Sequence, residues 1–180
     1  MPVRCVALLR GINVGKAKRV AMADLRALFE KLGYSDVKTL LNSGNVVFTS
    51  SGSATGNHAL QIEKSIASKL GVEARVIVVT ADELNQMVQT NPLKKVADNP
   101  SRYLVAILND PDDMIKVKPL LKEDWGTDAL AHGKRAVYLW CASGILESKL
   151  LVAFSKALKD GMTTRNWATI LKLQAMMETG

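Results

Sequence analysis

The stretch VKTLLNSGNVVFT, residues 37–49, decides the fold. Two apolar runs, Val37–Leu41 and Val46–Thr49, flank Asn42-Ser43-Gly44-Asn45. Asn and Ser bond their own backbone and Gly accepts a positive φ, so this spacing predicts a β-hairpin. The segments on either side are helical. Upstream, Met22–Leu32 carries Leu25, Leu28, Phe29 and Leu32 at helical spacing, with Gly33 suited to end it. Downstream, beyond a stretch at Ser50–His58 that reads as flexible, Ala59–Leu70 places Ile62, Ile66 and Leu70 on one side, and Gly71 follows. The apolar runs Val3–Leu9 and Glu73–Val79 complete the order β-α-β-β-α-β, the split βαβ or ferredoxin-like plan.

The same order restarts further on. Thr80 and Glu83 form a capping box for a helix over Ala81–Gln89. Asn91–Ser101, with two prolines, reads as a linker. Arg102–Leu108 is then a strand and Asp112–Leu121 a helix. Asp128–Ala131 and Ala136–Cys141 are strands joined by His132-Gly133-Lys134-Arg135, and Leu146–Leu158 is a helix. Gly161–Thr164 is a short strand and Asn166–Met177 a closing helix. The expectation is an α+β fold of two tandem ferredoxin-like (βαββαβ) units packed together, with an extra C-terminal helix. The first unit and its connecting helix span 1–90, the linker 91–101, and the second unit with the closing helix 102–180.

Composition narrows the classes of function. The 180 residues are 48% hydrophobic and 23% charged, a profile of ordinary globular chains. No apolar stretch is long enough for a membrane span, and the start does not read as a signal peptide. Cys5 and Cys141 sit in apolar segments and fit two free buried thiols in a reducing cytoplasm. With His58 and His132 they lack metal-ligand spacing, so neither metal nor cofactor is expected. Net charge is +7, and residues 1–49 hold eight Lys/Arg against three Asp/Glu. That local field favours nucleic acid, a phosphorylated small molecule or an acidic protein as partner.

The expected topology sets where those charges meet. The loop after strand one, the turn between strands two and three, and the entry to strand four share one edge of a split βαβ sheet. That brings Arg10–Arg19 beside Asn42–Asn45 in the first half. In the second half it collects Asn109–Asp112, His132–Arg135 and Gly161–Asn166. The loop LLRGINVGKAKRV is not a P-loop: Gly11 and Gly15 are separated by three residues rather than four, and Ala17 stands where a hydroxyl is needed. Nor is it a dinucleotide fingerprint, because Ile12 and Asn13 break the pattern. It is a Gly-x-x-x-Gly loop flanked by Arg10, Lys16, Lys18 and Arg19, able to turn backbone amides toward an anion or to form a sharp solvated turn.

Several blocks resemble a known family. LLRGINVG with MADLRALFEKLGY, then LLNSGNVVF, then TTRNWATILKL look like the bacterial domain of unknown function 1697 family, in the right order over nearly the whole chain. The resemblance implies cytoplasmic bacterial proteins of this length and an α+β fold, and it brings no established activity. Its signature positions fall here on Arg10, Gly11, Asn13 and Gly15, on Ser43, Gly44 and Asn45, and on Thr164, Arg165, Asn166 and Trp167. Lys16 stands where a second glycine is usual, which implies a stiffer, more basic loop. Ala21 stands where proline is frequent.

Sharper chemistry finds little support in the residues. Ser43 lacks a histidine base and reads as a turn serine. Asp112 and Asp113 open a helix, where carboxylates complement the dipole. RNA-recognition domains share this element order but stack bases on strand aromatics. Here Phe48, Tyr103, Tyr138 and Trp140 read rather as core or packing residues, with aromatics only 5% of the chain. The leading reading is a module for an anionic, phosphate-bearing ligand, with nucleic acid among the candidates. Its residues are Arg10, Gly11, Asn13, Gly15, Lys16, Lys18, Ser43, Gly44, Asn45, Thr164, Arg165 and Asn166. The alternatives are an enzyme clamping a small anionic substrate between Arg10 and Arg165, with Asn13 or Asn45 orienting it, and a protein-interaction scaffold.

Overall fold

The computed structural model describes residues 1–52 and 57–179, so residues 53–56 of the stretch read as flexible lie outside the described residues. Among the described residues the architecture is mixed α+β, with two four-stranded antiparallel sheets and six α-helices. The chain divides into two compact units, residues 1–85 with 173–180, and residues 86–172.

In the first unit the hairpin predicted over 37–49 forms as β2 (Ser35–Leu40) and β3 (Asn45–Ser50). It follows β1 (Val3–Arg10) and α1 (Met22–Lys31), and precedes α2 (His58–Leu70) and β4 (Arg75–Thr80). The sheet order is β2-β3-β1-β4, with every neighbouring pair antiparallel. Alternation along β1 sends Cys5, Ala7 and Leu9 into one core with Leu25, Leu28 and Phe29 of α1 and Ile62 and Ile66 of α2. Val6 and Leu8, on the opposite face, are fully buried as well. Phe48 packs edge-on to Phe29 at 5.4 Å, inside the same core.

The capping box exists at β4's exit: Thr80 N donates to Glu83 Oε2 (2.8 Å), and Glu83 N donates to Thr80 Oγ1 (3.2 Å). It opens α3 (Ala81–Gln89).

The second unit repeats the order with β5 (Tyr103–Leu108), α4 (Met114–Leu121), β6 (Ala129–His132), β7 (Ala136–Trp140), α5 (Lys149–Leu158) and β8 (Met162–Asn166), and α6 (Trp167–Glu178) follows. Its sheet runs β6-β7-β5-β8, again antiparallel throughout. Leu104, Ala106, Val137 and Leu139 face Val117, Leu150 and Phe154 in its core.

Three expectations here need correction. The helix expected over 112–121 begins as a 3-10 turn at Pro111–Asp113, because Asp110 caps it by accepting from Asp112 N at 2.9 Å. The helix expected over 146–158 is broken at Ser148, which bonds Leu151 N (3.0 Å) and so starts α5 afresh after a 3-10 turn. The strand expected to stop at Thr164 continues through Arg165 to Asn166 as β8, so Asn166 does not begin the closing helix but caps α6 by accepting from Thr169 N at 2.9 Å.

Tyr103, Tyr138 and Trp140 share the second sheet's other face and are buried, so their rings offer no stacking platform. The two tyrosine hydroxyls hold the preceding segment: Tyr103 OH donates to Asn91 Oδ1, and Tyr138 OH to the Met87 carbonyl at 2.8 Å. Both thiols, Cys5 and Cys141, are free and buried. Burial, with a smaller push from Glu83, raises the Cys5 thiol to about 11. No helix among the described residues is long and apolar enough to cross a membrane.

Candidate functional site

β1 leaves the first sheet at Arg10, and the loop that follows is built rather than slack. Four of its residues have positive φ: Gly11 (87°), Asn13 (53°), Gly15 (62°) and Lys18 (55°). Val14 and Ala17 form a bridge, so Gly15 and Lys16 are the two central residues of a miniature hairpin. Glycine at the first of them supplies the positive φ such a turn demands. Asn13 N donates to the Lys18 carbonyl at 2.8 Å and closes the hairpin's base. Lys18, with a β-carbon in the left-handed region, stores about 1–2 kcal/mol of strain.

The Asn13 side chain ties this loop to its surroundings. Its amide donates to the carbonyls of Val20 (3.0 Å) and Asn42 (2.7 Å), while its Oδ1 accepts from Val20 N (2.8 Å). The loop and the β2–β3 turn are therefore clamped together, as the topology predicts. Gly44 makes the second joint. A β-carbon there would sit 2.7 Å from Leu9 Cβ and 3.0 Å from Ile12 Cδ1, and its carbonyl accepts from Leu9 N at 2.8 Å. Asn45, wholly buried, donates to the Leu40 carbonyl (2.8 Å) and to Ser43 Oγ (3.1 Å). The Asn13, Gly44 and Asn45 side-chain positions, and Ser43 Oγ, thus hold the edge's shape.

The cations are what the edge presents outward. Lys16, Lys18 and Arg19 are exposed, and Arg10 is partly so. A β-carbon on Gly11 would lie 3.9 Å from Lys18 Nζ, so this ammonium folds back over the loop. One further cation was not singled out in the sequence. Arg75, the first residue of β4, pairs directly with Arg10 in the β1–β4 ladder and is exposed. The signal was available in the topology, which brings the entry of strand four to this edge. Like charges directly opposed on an antiparallel pair repel, with β-carbons about 5 Å apart. Among the described residues, Lys16, Lys18, Arg19 and Arg75 make no ion pair and no side-chain hydrogen bond. Two apolar side chains, Val14 (65% exposed) and Leu41 (54%), flank the Asn13–Asn42 clamp.

The corresponding edge of the second unit has another character. Asp110 and Asp112 sit beside the end of β5, and Asp113 pairs with Lys116 at 3.0 Å. Asn109 Nδ2 reaches the Asp160 carbonyl (3.2 Å), and Arg135 Nε donates to the Leu108 carbonyl (3.1 Å).

Thr164, Arg165 and Asn166 are not on that edge. The ladder pairs Met162 with Leu108 at the rim, but Thr164 with Ala106, Arg165 with Val105 and Asn166 with Leu104. Arg165 therefore lies about 10 Å down the strand from the rim, at roughly 3.3 Å per residue. Its guanidinium donates to the Thr164 carbonyl (2.8 Å), and burial lowers its proton affinity to about 10.

The family comparison fits this organisation. The model of the family described as "Protein of unknown function (DUF1697)" matches residues 3–138, well over half of the chain, and the chain belongs to that family. The matched range includes the 10–19 loop and the 42–45 turn and stops short of Thr164–Trp167. Among solved structures, the conserved bacterial protein SP0830 from Streptococcus pneumoniae is similar at 22% identity. The alignment covers 98% of this chain and 99% of that one, with a TM-score of 0.79, and shows a shared fold. No curated protein matches.

Proposed function

We propose that this member of the domain of unknown function 1697 family is a binding module for an anionic, phosphate-bearing ligand. The ligand sits on the loop edge of the first unit, against Arg10, Lys16, Lys18, Arg19 and Arg75. The observation that carries the reading is the group of exposed cations Lys16, Lys18, Arg19 and Arg75, which make no ion pair and no side-chain hydrogen bond among the described residues. Arg75 stands opposite Arg10 in the β1–β4 ladder, and an anion bound beside it would offset the repulsion between the two. The loop beside them is held in shape by Asn13 and Gly44. Such preorganisation lowers the ordering cost of binding.

The antiparallel orders β2-β3-β1-β4 and β6-β7-β5-β8 support reading the chain as two tandem ferredoxin-like units. Residues 91–101, within the second unit, lead into β5 and are anchored to its sheet through the Tyr103–Asn91 hydrogen bond. The two buried free thiols suit a cytoplasmic setting. The enzymatic alternative draws no support from the side chains assigned to orient its substrate, because Asn13 and Asn45 already donate within the fold.

Thermal denaturation with inorganic pyrophosphate tests the reading. At about a hundredfold excess over Kd, a ligand bound only by the folded state adds about 2.7 kcal/mol. For a chain of this length that raises Tm by about 5–10 °C. The double variant Arg10→Ala/Arg75→Ala should lose most of the increment. An unchanged increment in that variant overturns the proposed site.

A further inference from the structure

Resting on the anion-binding reading, we infer that the loop edge of the first unit recognises the phosphodiester backbone of nucleic acid by charge alone, without reading bases. The inference follows from which groups the fold has used and which it leaves outward. A site for one small metabolite fixes its ligand with a few placed polar groups that discriminate shape and hydrogen bonding. A site that reads base edges needs Asn or Gln amides, or a bidentate Arg, reaching into a groove. On this edge the Asn13 and Asn45 amides are occupied. Both Asn13 amide hydrogens go to the Val20 and Asn42 carbonyls, and both Asn45 amide hydrogens go to the Leu40 carbonyl and Ser43 Oγ. Asn42 alone of the edge's asparagines has an exposed side chain with no hydrogen bond among the described residues.

Aromatic stacking is also missing from the edge. Phe48 and Tyr34 are buried in the helix-side core, packed on one another at 4.5 Å. What projects outward is cationic: Lys16 and Lys18 on the miniature hairpin, Arg19 at its base, and Arg75 at the start of β4, opposite the half-buried Arg10. These charges are distributed along the edge. The hairpin carries Lys16 about six residues beyond Arg10, while Arg75 lies on the neighbouring strand, about 5 Å across. One phosphate cannot satisfy such a spread, but successive phosphates of a strand can. Val14 and Leu41, exposed apolar neighbours of Asn13 and Asn42 in the chain, would meet sugar and base surface, giving contact without sequence preference.

DNA and RNA share this backbone chemistry, and the test separates them. The whole chain is titrated by fluorescence anisotropy against labelled 20-mers of DNA and of RNA, two unrelated sequences of each, between 50 and 200 mM salt. Neutralising about four phosphates predicts a log–log slope of about −2.8 to −3.6, or on the order of a 50- to 150-fold loss over that range. The two sequences of each acid should agree within about threefold, as expected for contacts that carry no base information. The preferred acid identifies the source. Lys16→Glu/Lys18→Glu should weaken binding at least tenfold. Lys94→Glu/Lys95→Glu, an equal charge change on exposed residues of the second unit, should leave it near wild type.

Strong sequence preference, a slope near zero, or equal loss in both variants overturns the inference. So does binding to vesicles of anionic phosphatidylglycerol with none to either nucleic acid. If nucleic acid fails while pyrophosphate still protects the wild type and not Arg10→Ala/Arg75→Ala, the backbone inference falls and the anion site stands. If pyrophosphate fails too, both fall.

Discussion

Gly44 and Gly15 both have positive φ, yet they answer to different constraints. At Gly44 a β-carbon would meet Leu9 Cβ at 2.7 Å, a contact real β-carbons do not make, while at Gly15 it would meet nothing within 4 Å. Gly44→Ala therefore combines backbone strain with overpacking and should cost about 3–4 kcal/mol, whereas Gly15→Ala should cost about 1–2 kcal/mol from strain alone. Urea denaturation of the two variants measures the gap, and equal losses would mean that the turn moves away from β1 at little cost. Cys5 gives a pH signature at the same scale. Its thiol is raised in the folded chain from 9.0 to about 11, first by burial and then by Glu83. The folded state then holds the proton more tightly, so this stabilisation is complete below pH 9 and is lost as pH rises through 11. Urea midpoints should fall between pH 9 and 11, and Cys5→Ala should flatten part of that fall. Residue chemistry was legible where it was local. The turn of residues 42–45 and the Thr80–Glu83 box follow from side chains within a few positions of one another. The occupation of Asn13 was not, because its acceptors include the Asn42 carbonyl, 29 residues away.

At the scale of elements, β4 begins with a residue that the sheet would prefer to be otherwise. Arg75 faces Arg10 across the ladder, and a cross-strand pair contributes about 0.2–1 kcal/mol either way. Arg75→Thr removes the repulsion and adds a β-branched residue, so the fold should gain about 0.5 kcal/mol at low salt, with the gain shrinking as salt screens the pair. The same substitution should weaken pyrophosphate or nucleic-acid binding severalfold. Opposite signs in the two measurements are what a functional cation predicts, while a parallel loss would make Arg75 a structural residue. Register explains why other elements misled the sequence reading. The sequence pattern stops the last strand at Thr164, but pairing with β5 carries β8 on through Arg165 and Asn166 and leaves Asn166 to cap the helix it was expected to begin. Ser148 acts in the opposite way. Its hydroxyl accepts from Leu151 N and donates to Asp128 Oδ2 (2.8 Å), and it divides a continuous apolar pattern into a 3-10 turn and α5. Periodicity reports which face is buried, whereas hydrogen bonds to distant partners decide where an element starts.

On the scale of the whole molecule, one strand order serves both units, so topology alone gives their rims equal standing as sites. Charge separates them. The first rim carries Arg10, Lys16, Lys18, Arg19 and Arg75, whereas the second carries Asp110, Asp112, Asp113 and Asp160 alongside Lys134 and Arg135. The net charge of +7 is thus less informative than its placement, half legible in the excess over residues 1–49 and completed only when β4 brings Arg75 to Arg10. If the field at the rim decides binding, an anion should find the first unit and pass over the second. Amide chemical shifts during a pyrophosphate titration resolve this directly. Perturbations should be confined to residues 10–20, 42–45 and 75, and residues 109–113, 132–135 and 160–162 should stay within error. They should also shrink between 50 and 200 mM salt, because exposed cations are screened within about a Debye length of 10 Å. Equal shifts on both rims would show that backbone geometry common to the two units, and not the cations particular to one, recognises the anion.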